Sequence, residues 1–255
     1  MANRTRRAQL QSQRLAAARQ ARRRRRIGAG LVIGLVVVLV VLVVWLVNRQ
    51  GRPEPGGSLA PTQAGAGELG IVVNPQAAAA PHELIVYSDY QCSYCRLWEV
   101  ALEPVFQEAV ASGQTRIEIR NRTWLDGGSH GQWSRPAAVA AACVATVAPS
   151  RFLDYHVAVL EQQGNFSDQL LRDLLPAQIG LSEAERSQVG QCYDSTATGQ
   201  FVDQVEEAAA RDFAELGLQG TPSFLLDGQS MDQVWWDAAV GQPDLAAVRQ
   251  SLGLS

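Results

Sequence analysis

Two cysteines three positions apart, Cys92 and Cys95 in Gln91-Cys-Ser-Tyr-Cys95, are the most reactive pair in this chain of 255 residues. Thiols at that spacing can close into a disulfide and reopen, or they can supply half of a zinc site. What precedes and follows them bears on the choice. Leu84–Tyr87 is a short apolar run that reads as a buried strand, and Ser88-Asp-Tyr-Gln91 reads as a turn. Beyond Cys95, apolar residues at Leu97, Trp98, Ala101, Leu102 and Val105 follow helical spacing. Cys92 is therefore expected at the mouth of a helix, with Cys95 one turn further on the same face. Free N–H groups and the positive end of a helix favour thiolate over thiol. The effect is about one pKa unit, enough to bring a thiol from about 8.5 towards about 7.

A structural zinc site needs a second close pair of ligands. Cys143 and Cys192 lie 49 positions apart (192 − 143), and His82, His130 and His156 are scattered. The strand–turn–Cys-x-x-Cys–helix order favours redox work over metal binding, and the sequence implies no metal and no organic cofactor.

Charge is divided sharply along the chain. All 22 basic residues are Arg, and ten of them fall within residues 1–26, which contain no acid. The remaining 12 (22 − 10) face 25 Asp and Glu from Asn48 onward. Taken alone, Arg22–Arg26 would suit a phosphate backbone. The next segment overrides that reading in favour of a cytoplasmic tail that binds no nucleic acid. Ile27–Val47 is uncharged and rich in Val and Leu, long enough for a hydrocarbon core of about 30 Å, and the Arg cluster places its N-terminal side in the cytoplasm. A cleaved signal, with Ala64-Gly-Ala66 as the processing site, is the competing reading, but the apolar run exceeds the usual h-region. Both readings put the remainder outside the cytoplasm, where four cysteines can form two pairs. Residues 48–69 are rich in Gly and Pro and read as a flexible linker, leaving 70–255 as the folded domain.

Within that domain, Gly70–Pro75 suggests a short first strand. Pro104 should kink the helix that follows the cysteines, or end it. Thr115–Arg120 alternates polar and apolar residues, as a strand with one buried face does. From about 133 to 216 the pattern is helical. It predicts helices over 137–148, 151–163, 169–175 (stopped by Pro176), 182–193 (Ser182 capping) and 201–216. Two apolar runs around Asp227-Gly228, the second reaching Trp235, signal a hairpin. A last helix from Pro243 or Asp244 to Leu252 has Leu245, Val248 and Leu252 as its inner face.

Three features together give a resemblance. They are Tyr87-Ser-Asp-Tyr-Gln-Cys-Ser-Tyr-Cys95, Gly220-Thr-Pro-Ser-Phe224 before the hairpin, and the helical stretch between them. From about Asn74 to Gly253 the chain resembles the DsbA-like branch of the thioredoxin superfamily, exported thiol–disulfide oxidoreductases. The resemblance implies an α/β thioredoxin-like fold with a helical insertion, here preceded by a single N-terminal transmembrane helix. It also implies a cis peptide before Pro222, beside the dithiol, with Thr221 and Pro222 holding a substrate strand. Cys92 would exchange with the substrate and Cys95 would resolve the mixed disulfide.

The chain departs from that pattern in two places. Ser93-Tyr94 fills the dipeptide without a His, leaving the helix terminus as the main thiolate stabiliser. Val86 occupies the position, six residues before the first Cys, where such folds often carry a buried acid. Asp89 is expected to cap the turn or helix, and the group that deprotonates Cys95 is open. Tyr90 and Tyr94 flank Cys92 and suggest an apolar rim for substrate. Trp98, Trp235 and Trp236 read as core or interface aromatics, and His130 as a loop residue. Cys143 and Cys192 read as a structural disulfide worth roughly 3–4 kcal/mol less strain, with a second redox pair as the alternative.

The expected activity is that of a membrane-anchored, extracytoplasmic oxidoreductase forming disulfides in exported proteins with cysteine pairs, recycled by a membrane redox partner. Reductase or isomerase work of the same fold, or a non-catalytic tethered binding or zinc module, are the competing readings.

Overall fold

The structure, a computed structural model, describes residues 60–61, 69–127, 130–239 and 241–254. The expected basic tail, the apolar run Ile27–Val47 and most of the linker lie outside the described residues. Among the described residues, no helix is long and apolar enough to cross a membrane.

The chain enters the sheet with β1 (Ile71–Val72) and then forms the central strand β2 (His82–Ser88). A turn leads into α1 (Ser93–Ser112), and β3 (Thr115–Asn121) returns parallel to β2 with Leu84 opposite Ile117 and Val86 opposite Ile119. Parallel strands need a crossover, and α1 supplies it. Pro104 lies inside α1 without ending it. Trp98, Leu102, Val105, Phe106 and Ala109 bury one continuous stripe on either side of the proline, and this packing offsets the lost backbone bond. The helix stops at Gly113, whose positive φ of 66° lets its N–H reach the Ala109 carbonyl.

Between β3 and the next sheet strand the chain is helical: α2 (Ser134–Val147), α3 (Phe152–Glu161), a π turn (Leu170–Leu174) running into α4 (Leu175–Gln178), α5 (Glu183–Asp194) and α6 (Gly199–Leu216). Pro176, expected to stop a helix, instead follows the π turn without interrupting the helical run, and the Leu171 carbonyl one π turn earlier accepts from the Tyr155 hydroxyl at 2.6 Å. Ser182 caps α5 through a reciprocal bond with Glu185. Cys143 on α2 and Cys192 on α5 are joined, with Cα atoms 5.8 Å apart.

The sheet is completed by β4 (Ser223–Leu226), antiparallel to β2, and β5 (Gln229–Ser230), giving the order β1-β3-β2-β4-β5. Asp227 and Gly228 both have positive φ, 50° and 78°, the backbone that a tight hairpin requires. The second arm of that hairpin is shorter than expected: it ends at Ser230, and a turn then carries Trp235 into the core. A two-strand ribbon, β6 (Trp236–Asp237) with β7 (Gln242–Pro243), precedes α7 (Leu245–Ser251). Asp244 caps α7, and Val248 and Leu252 are buried, but Leu245 faces outward.

The two faces of the sheet are covered differently. Leu84, Val86, Ile117 and Ile119 belong to the main core with α1 and the inserted helices. Tyr87 and Leu225 pack on the other face against Ala209 and Phe213 of α6. This second cover changes the reading of β3, whose polar positions are buried too. Arg120 donates to Glu118 at 2.7 Å, to Asp212 at 2.8 Å and to the Tyr87 hydroxyl at 3.1 Å. A buried charge needs such partners, and α6 brings Asp212 to supply one.

Candidate active site

Cys92 is the N-cap of α1, reached from β2 by a turn in which its N–H donates to the Asp89 carbonyl at 2.9 Å. The first backbone N–H groups of the helix, those of Tyr94 and Cys95, make no cap hydrogen bond to its sulfur but favour its thiolate. Thr221 meets the same sulfur from the loop before β4. Its carbonyl accepts from the Cys92 thiol at 3.1 Å, and its buried hydroxyl, without a partner among the described residues, is a further donor that favours the thiolate. These contacts pull the Cys92 thiol down to about 6. The Cys95 thiol donating across the pair is the largest cause. Partial burial opposes it, and the Thr221 hydroxyl and the two helix N–H groups follow. The helix terminus, expected to be the main stabiliser, is a secondary one. The Cys92 carbonyl accepts from Arg96 N–H at 3.2 Å and from Gln163 Nε2 at 2.7 Å, so the segment after α3 also holds the motif.

Cys95 is its opposite, fully buried behind Cys92. Burial pushes its thiol well up, with the hydrogen bond to Cys92 and the negative charges of Glu99 and Cys92 adding to the effect. Both cysteines are free thiols here. The pair is thus divided into a reachable, ionised sulfur and a buried, protonated one, the asymmetry that ordered thiol exchange requires.

Asp89 lies beside the pair but turns its carboxylate away. Its backbone N–H donates to Cys95 Sγ at 3.4 Å. Its carboxylate accepts from Gln91 N–H at 2.9 Å, Ser134 Oγ at 2.6 Å and Leu125 N–H at 3.3 Å. Complete burial raises the group to about 6 against those three bonds. It caps the turn, as expected, and also ties that turn to α2.

The sequence reading missed a second group of residues. Glu99, one turn beyond Cys95 on α1, is 1% exposed and accepts from Ser88 Oγ at 2.5 Å. Its other oxygen meets His156 Nε2 of α3 at 2.7 Å, and His156 Nδ1 meets the Tyr90 hydroxyl at 2.8 Å. Tyr90 is therefore buried, not part of an exposed rim. The available signal was position: Glu99 falls on the same helical face as Cys95, Trp98 and Leu102, where a charge needs a partner.

Tyr94 is 61% exposed and does lie at the rim, lining an open groove of about 480 Å³ with Thr221, Pro222, Leu218, Trp98 and Trp236. The two tryptophans stack at 5.5 Å along its wall, while Trp235 is wholly core. The Thr221–Pro222 peptide is cis. Cys92, Cys95, Tyr94, Thr221 and Pro222 are thus brought together. Cys143 and Cys192 are bonded to each other on the helical insertion. His82 pairs with Asp227 at 2.9 Å, and His130 is exposed. Among the described residues, no cluster of three or more His, Cys, Asp or Glu is arranged to hold a metal ion.

Solved structures of similar fold include thiol–disulfide exchange proteins. MdbA from Actinomyces oris, a thiol–disulfide oxidoreductase, is 20% identical with a TM-score of 0.59, over 79% of this chain and 100% of that one. BdbD from Bacillus subtilis is 19% identical with a TM-score of 0.53, over 78% and 96%. The thiol–disulfide exchange protein α-DsbA2 from Wolbachia pipientis is 20% identical with a TM-score of 0.50, over 69% and 82%. Identities this low establish a shared fold. No curated protein sequence matches the chain. The family model described as thioredoxin matches residues 77–241, well over half of the chain. The chain belongs to the thioredoxin family.

Proposed function

We propose that this chain is an extracytoplasmic thiol–disulfide oxidoreductase that works as an oxidase, forming disulfides in exported proteins. The observation that carries the reading is the division of the dithiol into a Cys92 drawn down to about 6 and a buried, protonated Cys95. In the oxidising direction a substrate thiolate attacks Cys92 Sγ of the Cys92–Cys95 disulfide. The S–S bond breaks, and Cys95 leaves with its electron pair and takes a proton. A second substrate thiolate then attacks the substrate sulfur of the mixed disulfide, and Cys92 leaves as thiolate. Two electrons pass from substrate to enzyme. A low Cys92 pKa makes it a good leaving group and stabilises the reduced enzyme, which favours oxidation of the substrate. Thr221 and Pro222 present backbone to an extended substrate segment, and the Tyr94–Trp98–Trp236 groove offers apolar surface to its side chains.

The anchor belongs to the same proposal. An uncharged run of Val and Leu behind ten arginines supports a retained span with the catalytic domain outside, recycled by a membrane redox partner. Protease added outside spheroplasts should remove the domain and leave a short protected fragment. A soluble, N-terminally trimmed protein would contradict the anchor.

Oxidative refolding of a reduced, disulfide-requiring protein tests the activity. The full chain with its disulfide intact should restore the substrate's activity, and Cys92→Ser and Cys95→Ser, neither of which can hold the exchangeable disulfide, should each abolish this. Stoichiometric zinc without exchange would replace the enzyme reading with a tethered metal module.

A further inference from the structure

Cys95 must lose a proton each time the disulfide forms and regain one each time it opens. Nothing at the opening of the site can serve it, because Cys95 is fully buried and Cys92 is already the ionised partner. Val86, on the neighbouring strand, is apolar. Asp89 offers Cys95 only its backbone N–H, and its carboxylate is occupied by three donors.

Glu99 is placed differently. It lies four residues beyond Cys95 on α1, which puts their Cβ atoms about 5–6 Å apart. Cys95 and Glu99 thus share the buried face of the helix. Its charge also reaches Cys95, contributing to the raised thiol. The other groups facing Glu99 come from three elements: Ser88 at the end of β2, His156 from α3, and Tyr90 from the turn, whose hydroxyl also lies 3.5 Å from Asn121 Oδ1 on β3. Ser88 and Tyr90 are fully buried, and Glu99 and His156 are 1% exposed, so the cluster is closed to solvent. A carboxylate and an imidazole 2.7 Å apart, with both ring nitrogens bonded, form a pair that can hold one additional proton in the interior.

We propose that the buried Glu99–His156 pair is the internal proton acceptor and donor for Cys95, with α3 of the helical insertion supplying half of it. The inference rests on the thiol-exchange reading above. When the dithiol is oxidised, Cys95 gives its proton to the pair and its electron pair to the new bond with Cys92. The departing thiolate of the partner balances the charge. When the disulfide is attacked, Cys95 leaves as thiolate and the same proton returns. The proton stays within the cluster, whose four members are all buried.

The test separates the two steps of exchange. The reduced full chain is mixed with glutathione disulfide, quenched with acid at intervals, and the Cys92–glutathione adduct is followed by mass spectrometry. Glu99→Gln should form the adduct at close to the wild-type rate but resolve it roughly tenfold to a hundredfold more slowly at pH 7. The defect should shrink at high pH, where the Cys95 thiol ionises without the pair. His156→Gln should show a smaller defect of the same kind. Equal slowing of both steps at every pH, or wild-type resolution in a folded Glu99→Gln chain, would overturn the proposal. A wild-type chain that forms no adduct would overturn the exchange reading itself. Should the variants fail to fold, wild-type NMR at fixed pH decides the matter. Oxidation should move the Glu99 carboxyl carbon or the His156 ring towards its protonated position, and no movement in either would refute the relay.

Discussion

At the scale of single residues, function turns on how one sulfur is made acidic and its neighbour is not. Cys92 at about 6 should be half-maximally alkylated by iodoacetamide near pH 6, and a midpoint above 8 would contradict the assigned contacts. Thr221→Ala removes one donor to the thiolate and should raise that midpoint by about one pH unit. A thiol depressed in the fold favours the folded reduced chain above its unfolded value near 9 and loses that advantage as pH falls through about 6. Reduced wild-type protein should therefore gain stability over Cys92→Ser between pH 6 and 9. Asp89 has the reverse sign. Its buried carboxyl, raised to about 6, binds its proton more tightly when folded, so its contribution is greatest at low pH and is lost as pH rises from about 4 through 6. The melting temperature of wild type minus that of Asp89→Asn should fall across that window. A flat difference would mean that Asp89 is ionised throughout.

At the scale of elements, the helical insertion is bound to the dithiol through Gln163 on the Cys92 carbonyl and His156 on Glu99, while the Cys143–Cys192 bond joins α2 to α5. Closing a 49-residue separation is worth about 4 kcal/mol in the chain-entropy model. Replacing both Cys143 and Cys192 with Ala should lower the melting temperature by several degrees and leave exchange at Cys92–Cys95 intact. Loss of turnover without loss of stability would make the bond a redox relay. The strand–turn–helix around the cysteines, the hairpin at Asp227-Gly228 and the caps at Ser182 and Asp244 were legible because each is encoded within a few residues. The continuation of α1 through Pro104, the π turn before Pro176 and the full burial of β3 were not. Each depends on packing against an element distant in sequence, and β3 looked half-exposed only because α6 lies some 80 residues away. The same reason hid the Glu99–His156–Tyr90 cluster, whose members are 57 and 66 positions apart across two of its hydrogen bonds.

At the scale of the whole domain, the thioredoxin-family fold places Cys92, the cis Thr221–Pro222 peptide and an apolar groove at one end of the sheet, with the proton chemistry of Cys95 buried behind them. A fold of this kind supports oxidation, reduction and isomerisation alike, so direction depends on the energy of the pair and on its partner. The proposed oxidase reading rests on the lowered Cys92 thiol, because stabilising that thiolate favours the reduced state and a dithiol that prefers to be reduced is an oxidant. The reduction potential of the Cys92–Cys95 pair, measured by equilibrating the full chain with glutathione buffers, tests this most directly. The account predicts a value well above the thioredoxin range of about −270 mV, towards the roughly −180 to −120 mV of known protein-disulfide oxidants. A value at or below about −270 mV would contradict it and make this chain a reductase.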